Sequence, residues 1–163
     1  MAVNTDPDFK DFTTDLTEND IPWAGGKALF SWWNGARGTR KFPARRDFAP
    51  MDMPSFLPTV ILTDVGGRLP TYPIRLVGTG IVKVMGYDPT GLMLGNLPAT
   101  DTLRARYDWV LENKKPYMCI NLPCKWAQKD FIKYSTLVLP LGPDDSEVTM
   151  LIASLVFGAL PAQ

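Results

Sequence analysis

The chain has 163 residues, of which 45% are hydrophobic and 21% are charged, a composition typical of one globular domain. Seventeen Lys and Arg residues balance seventeen Asp and Glu residues, so no net charge attracts the chain to nucleic acid or to an anionic membrane. The chain has no histidine, which excludes Ser-His-Asp triads and sites that bind zinc, iron or haem through imidazole. Two cysteines are too few for a four-thiolate metal site, and we predict neither a metal nor a cofactor.

Residues 1–22 are acidic and poor in aliphatic side chains, which predicts a flexible arm ahead of a single domain at residues 23–163. This start lacks the basic and apolar layout of a secretory signal, and no segment reaches the ~18 apolar residues of a membrane span. We therefore expect a cytoplasmic protein with reduced thiols and no membrane contact.

A leading helix is predicted over residues 26–37, because Leu29, Trp32, Trp33 and Ala36 share one helical face and Gly38 follows as a stop signal. Together with Phe30, the two tryptophans exceed what one narrow stripe can bury. We therefore take Phe30, Trp32 and Trp33 as candidates for an interface, with packing on the chain's own sheet as the alternative.

Strands and short helices follow in an order typical of an α+β fold. Five segments have the alternation, β-branched content or apolar run of strands, and they are residues 60–65, 72–77, 118–126, 131–139 and 148–157. A short helix ending at Gly86 and a longer helix capped by Thr100 or Asp101 separate the first two strands from the last three. The pattern predicts a core over 59–157 with a five-stranded antiparallel sheet, helices on one face and the leading helix.

Two blocks, residues 42–65 and 72–97, resemble a PAS domain, in particular the bacterial family of small stand-alone PAS-like proteins. The first block has the spacing Pro-x-Arg-x-Asp-Phe and Pro-x-Asp-x-Pro, and the second has Arg-Leu-x-Gly-Thr followed by glycines. The matched positions expected to have structural roles are Arg45, Asp47, Asp52, Arg75, Gly78, Thr79 and Gly91. The resemblance implies a helical layer over a small central pocket, a role in sensing or protein interaction without catalysis, and dimerisation through the leading helix.

Large side chains at buried spacings are the candidates for lining that pocket, namely Met85, Tyr107, Trp126, Tyr134 and Met150. A filled core is the alternative to an unidentified small ligand. Cys124 lies on the apolar face of its predicted strand, which indicates a buried structural thiol rather than a redox sensor.

Five cations lie between Arg37 and Arg46, but the balanced net charge favours a solvated or internally paired loop over nucleic-acid binding. Pairs of Arg45 with Asp47, and of Arg75 with Asp64 or Asp52, would fix this loop to the sheet.

Three functional hypotheses follow. The first is a non-catalytic sensory or interaction module that binds a small ligand and signals to a separate partner protein. The second is a small cone-shaped α+β enzyme in which Asp101 or Asp64 acts as base beside Tyr107 or Tyr134. The third is a structural homodimer with a filled core.

Overall fold

The structure, a computed structural model, describes residues 12–161 apart from the side chain of Asp52. Within that range, the β-branched and alternating segments form strands, and the segments with helical periodicity form helices. The strands are β1 (Phe12–Thr13), β2 (Val60–Asp64), β3 (Ile74–Val77), β4 (Tyr117–Cys124), β5 (Lys129–Leu141) and β6 (Met150–Phe157). The helices are α1 (Ala24–Arg37), α2 (Thr79–Met85) and α3 (Asp101–Asn113). None of the helices in this range is long and apolar enough to cross a membrane.

The strands form one antiparallel sheet in the order β1-β4-β5-β6-β2-β3. The predicted α+β class, the hairpin and the meander are confirmed. The sheet has six strands rather than five, because Phe12 pairs with Cys119 and Thr13 pairs with Met118 along the edge of β4. A strand of two residues is too short to produce an alternation that sequence analysis can detect.

The predicted acidic arm falls only partly within the described residues, since residues 1–11 lie outside them. Within residues 12–22, two apolar side chains pack against the domain. Phe12 stacks on Tyr117 with ring centroids 4.8 Å apart, and Ile21 is fully buried. These two apolar anchors hold the segment despite its acidic composition.

Helices cover both faces of the sheet. Along β6, Leu155 faces the layer formed by α2 and α3, whereas Ser154 faces α1, because successive side chains of a strand point to opposite faces. The indole N–H of Trp23, just before α1, donates to Ser154 Oγ at 3.0 Å, and that of Trp33 donates to the Pro140 carbonyl at 2.9 Å. These hydrogen bonds orient α1 across β5 and β6.

The expectation that α1 has more aromatic surface than its own domain can bury is wrong for two of the three residues. Phe30 and Trp33 are only 4% and 5% exposed, because the sheet face accepts them and satisfies the Trp33 indole N–H. Trp32 is partly exposed and packs edge-on against Phe48, with ring centroids 5.1 Å apart. Of the three interface candidates, Trp32 alone offers side-chain surface to a partner.

Internal pairing accounts for most of the basic segment between α1 and β2. Asp47 accepts hydrogen bonds from the Ala44 amide at 2.8 Å and from Arg40 at 3.1 Å, so its partner is Arg40 rather than Arg45. Arg45 instead donates to the Phe48 carbonyl and covers the Phe48 ring. The geometry favours Arg40 because Arg40 also binds the last carbonyls of α1, at Ala36 and Arg37, and so lies between the helix end and the loop.

On β3, Arg75 forms the expected ion pair with Asp64 at 2.9 Å, at the exposed edge of the sheet. The other proposed partner, Asp52, has a side chain outside the described part of the chain. The pair joins the two strands of the β2–β3 hairpin, which is the structural role predicted for Arg75.

Replacing Asp47 by alanine is expected to lower the free energy of unfolding by about 1 kcal/mol at neutral pH, because the carboxylate caps a backbone amide. The Ala44 amide holds the pKa of Asp47 below its ordinary value, with Arg40 and Arg46 acting in the same direction against the effect of desolvation. A depressed folded-state pKa gives a contribution that is complete above the unfolded-state pKa of about 4 and disappears as the pH falls through the folded-state value.

Urea unfolding at pH 7 and at about pH 3 would measure this effect, with replacement of the exposed Asp130 by alanine as the matched control. The difference between wild type and Asp47→Ala should shrink at the lower pH. An equal difference at both values would show that the Asp47 charge does not contribute.

Candidate functional site

A cavity of about 40 Å³, partly open to solvent, lies between the sheet and the layer formed by α2 and α3. Its walls come from the inner faces of β2, β3, β5 and β6, from both helices, from the loop before α3 and from the turn after β4. Most of the lining is aliphatic or aromatic. The hydroxyl groups belong to Thr63, Tyr107, Tyr134 and Thr136.

Four of the five predicted pocket residues meet at this cavity. Met85 comes from α2, Tyr107 from α3, Trp126 from the turn after β4, and Tyr134 from β5. Met150 does not line the cavity. It is five positions from Leu155 on the same strand, so its side chain points to the opposite face, the one covered by α1.

The tyrosine hydroxyls in the cavity wall are neutral at physiological pH. Burial raises the pKa of Tyr107 to about 12, although a hydrogen bond with Thr63 opposes that shift. Burial likewise raises the pKa of Tyr134, against the effects of a hydrogen bond with Trp126 and of the Arg106 charge. Neutral hydroxyls in an apolar wall favour contact with an uncharged molecule.

The cavity is much smaller than a typical ligand site, which has a volume of about 300–1,000 Å³. A ligand of ordinary size would therefore require the wall to move. Pro89, Leu94 and Leu97 contribute a part of the wall that lies on the connection between α2 and α3, outside any α-helix or β-strand. At one end of this connection, the Lys129 ammonium donates to the Val84 carbonyl and ties the last turn of α2 to β5.

Two motif glycines position α2 and the connection that follows it. A Cβ atom on Gly78 would lie 2.3 Å from the carbonyl oxygens of Leu57 and Pro58, so only glycine allows α2 to begin this close to the turn before β2. Gly91 has a φ of +92°, and its amide donates to the Ile74 carbonyl at 2.8 Å. Thr79 is the exposed first residue of α2. The glycine motif therefore has a packing role.

The carboxylates proposed for an enzyme lie away from the cavity. Asp101 is exposed at the first turn of α3, and Asp64 is paired with Arg75 on the sheet edge. Among the described residues, the lining of the cavity contains no Asp or Glu. Its tyrosines therefore have no neighbouring carboxylate with which to form an acid–base pair.

Arg106, a charged residue on α3, is only 7% exposed, which the sequence pattern does not predict. Its charge opposes the increase that burial causes in the pKa values of Tyr117 and Tyr134. A charged residue at a helix position normally predicts a solvated face, so the pattern gave no signal for this burial.

Cys124 is buried as predicted, and desolvation raises the pKa of its thiol to about 11, which leaves it protonated and unreactive at neutral pH.

The observed architecture agrees with that of a known protein family. The model of the PAS domain family matches residues 23–156, which include the helices and five of the six strands. The chain belongs to the PAS domain family. PAS domains are in general sensory or interaction modules, so the coarse function of this chain is of that kind.

Among solved structures, the chain is similar to an RNA-binding light-oxygen-voltage receptor, with 14% sequence identity and a TM-score of 0.43. The match covers 70% of this PAS chain and 36% of the receptor chain, so this chain spans about a third of that protein. No curated protein sequence matches this chain.

Proposed function

We propose that this PAS domain is a non-catalytic sensor that binds a neutral, largely apolar small molecule in the central cavity and signals to a separate partner protein. The observation that carries the proposal is the composition of the cavity wall, which combines an apolar surface with a few neutral hydroxyls between the sheet and its helical layer. Such a wall matches the chemistry of small-molecule sites.

Binding is coupled to the surface through the connection between α2 and α3. A ligand that widens the cavity displaces Pro89, Leu94 or Leu97. The same connection carries Tyr87 and Met93, which are 46% and 49% exposed. A shift of the wall therefore changes an apolar part of the surface that a partner can contact, and ligand binding shifts the population between the two arrangements.

The partner is either another signalling protein or a second copy of this chain. A homodimer would use Trp32 together with the neighbouring groove between α1 and the loop that contains Met53 and Phe56. This groove contains no residue of the displaced connection, so the connection signals to the separate protein.

Native mass spectrometry followed by denaturing mass spectrometry of the purified protein would detect a co-purifying ligand, and an NMR titration with indole would test the cavity directly. Indole is expected to shift the signals of Met85, Tyr107 and Trp126. Replacing Leu97 by tryptophan fills the cavity and should weaken indole binding by about tenfold or more, whereas the same replacement at the partly exposed Leu92 should leave it unchanged.

A second variant keeps the test informative if Leu97→Trp does not fold. Replacing Leu103 by alanine enlarges the cavity and should strengthen indole binding. Equal affinities in wild type, Leu97→Trp and Leu103→Ala, with no ligand released on denaturation, would exclude the central cavity as the binding site.

A further inference from the structure

A second cleft, with a volume of about 450 Å³, lies between the C-terminal ends of α1 and α3. We call it the basic cleft and define it by Arg37, Lys41, Lys114 and Lys115. Its floor is apolar and consists of Leu16 and Pro116, with only the narrow exposed parts of Phe30 and Trp33. In contrast to the central cavity, the basic cleft already has the volume of a small-molecule site.

Positive charge predominates in the basic cleft. Among the described residues, four cationic side chains line it, against a single carboxylate, that of Asp15. Asp15 forms an ion pair with Lys115 at 3.2 Å. Neutralising that pair still leaves the charges of Arg37, Lys41 and Lys114 around the cleft.

Arg37 is held in position before any ligand arrives. Its Nε donates to Asn34 Oδ1 at 3.1 Å, its Nη1 donates to the Arg40 carbonyl at 3.0 Å, and its guanidinium carbon lies 5.3 Å from the centre of the Trp33 ring. Nη2 is the terminal nitrogen left to bind an anion. A fixed guanidinium loses little side-chain entropy when it binds an oxyanion.

The negative C-terminal ends of the two helices do not neutralise all of the positive charge around the cleft. Each helix C-terminus carries about half a negative charge, and at α1 the last carbonyls are already bound by Arg40. Among residues 12–161, the ammonium groups of Lys41 and Lys114 form no ion pair.

The carboxylates on the neighbouring turn accept hydrogen bonds from groups other than the lysine ammonium groups. Asp144 binds Ser146, and Asp145 accepts from the Lys41 backbone amide at 2.9 Å. The hydrogen bonds from Ser146 lower the pKa of Asp144, and the Lys114 charge lowers it less. Asp144 and Lys114 form no ion pair among the described residues. Both lysine ammonium groups are therefore available to a ligand.

We propose that the basic cleft binds a phosphate monoester whose other part is a flat apolar ring. A phosphate dianion matches the converging charges of Arg37, Lys41 and Lys114, and the apolar floor accepts the ring. This site is separate from the central cavity, and the proposal does not depend on the function proposed for that cavity. It also gives a role to the two residues of the basic segment, Arg37 and Lys41, that face this cleft.

An NMR titration with phenyl phosphate would test the proposal. Signals of the Trp33 indole N–H and of the Asn34 and Asn113 side-chain amides should shift and saturate, and the affinity should fall as salt is added. Benzyl alcohol, which has the ring without the charge, should cause no such shifts. Inorganic phosphate should bind at the same place more weakly than phenyl phosphate.

A double variant, Lys41→Gln with Lys114→Gln, should weaken phenyl phosphate binding by about tenfold or more. The matched control is Lys83→Gln with Lys133→Gln, which removes the same charge from exposed positions outside the cleft and should leave binding unchanged. Equal weakening in both double variants, or the absence of saturation at about 10 mM phenyl phosphate, would overturn the proposal.

The two proposals can fail separately. Leu97→Trp should not alter phenyl phosphate binding, and the lysine double variant should not alter indole binding. Shifts from phenyl phosphate at Met85 and Tyr107 in place of the cleft residues would also overturn the basic cleft as the site.

Discussion

Replacing Gly78 by alanine is expected to lower the free energy of unfolding by about 3 kcal/mol. The φ of Gly78 is −62°, which any residue adopts, so the cost is steric rather than conformational. The added Cβ would lie 2.3 Å from two backbone carbonyl oxygens, and rotation of a side chain cannot relieve a contact with backbone. The turn before β2 would have to move away from α2, and the hydrogen bond from the Gly78 amide to the Val60 carbonyl would be disrupted.

The matched control is the same substitution at Gly35, an exposed residue in the last turn of α1. A Cβ there would meet nothing within 4 Å, and alanine favours the helix over glycine by about 1 kcal/mol. The two glycine-to-alanine variants should therefore change stability in opposite directions in urea unfolding. A small effect at Gly78 would mean that the turn at Leu57 and Pro58 moves away from the added Cβ at little cost in free energy.

The elements with a strong local pattern could be predicted from the sequence. The β2–β3 hairpin follows from a β-branched run ended by Gly66-Gly67, and α3 begins at Asp101, where a capping position was expected. For α1, the spacing of its apolar residues predicted the helix, which begins two residues earlier than expected, at Ala24. These features depend on neighbours within a few residues, so a short stretch of sequence is enough to predict them.

The face to which a buried strand presents each side chain could not be predicted. Apolar residues predominate along β6 and Ser154 is its one polar residue, since both faces of the strand are covered, by α1 on one side and by the cavity wall on the other. A strand buried on both faces shows no alternation. For this reason Met150 was assigned to the cavity although it lies on the opposite face from Leu155.

Contacts between distant segments could also not be predicted from the sequence. Nothing near Arg37 and Lys41 indicates that Lys114 and Lys115 will meet them at one cleft, because the helix ends are brought together only by the packing of α1 and α3 around the sheet. The choice of Arg40 over Arg45 as the partner of Asp47 has the same origin, since it depends on where α1 ends in space.

Replacing Trp33 by alanine is expected to lower the free energy of unfolding by about 3–5 kcal/mol. Trp33 is buried against the sheet, stacks near Phe30 with ring centroids 6.0 Å apart, and satisfies the Pro140 carbonyl. Alanine leaves a cavity between α1 and β5 and leaves that carbonyl without its indole donor. Urea unfolding would measure the loss.

The same substitution separates packing within the chain from an interface between chains. If Trp33 stabilises its own domain, the loss is independent of protein concentration and the oligomeric state is unchanged. If it instead stabilises a dimer, the loss grows with dilution and sedimentation detects dissociation. Trp32→Ala is the matched control, because this partly exposed ring contacts only the edge of Phe48 among the aromatic residues described, and its removal should cost about 1 kcal/mol in the monomer. A concentration-dependent loss in Trp32→Ala alone would place the interface on the outer side of α1 and leave Trp33 as core.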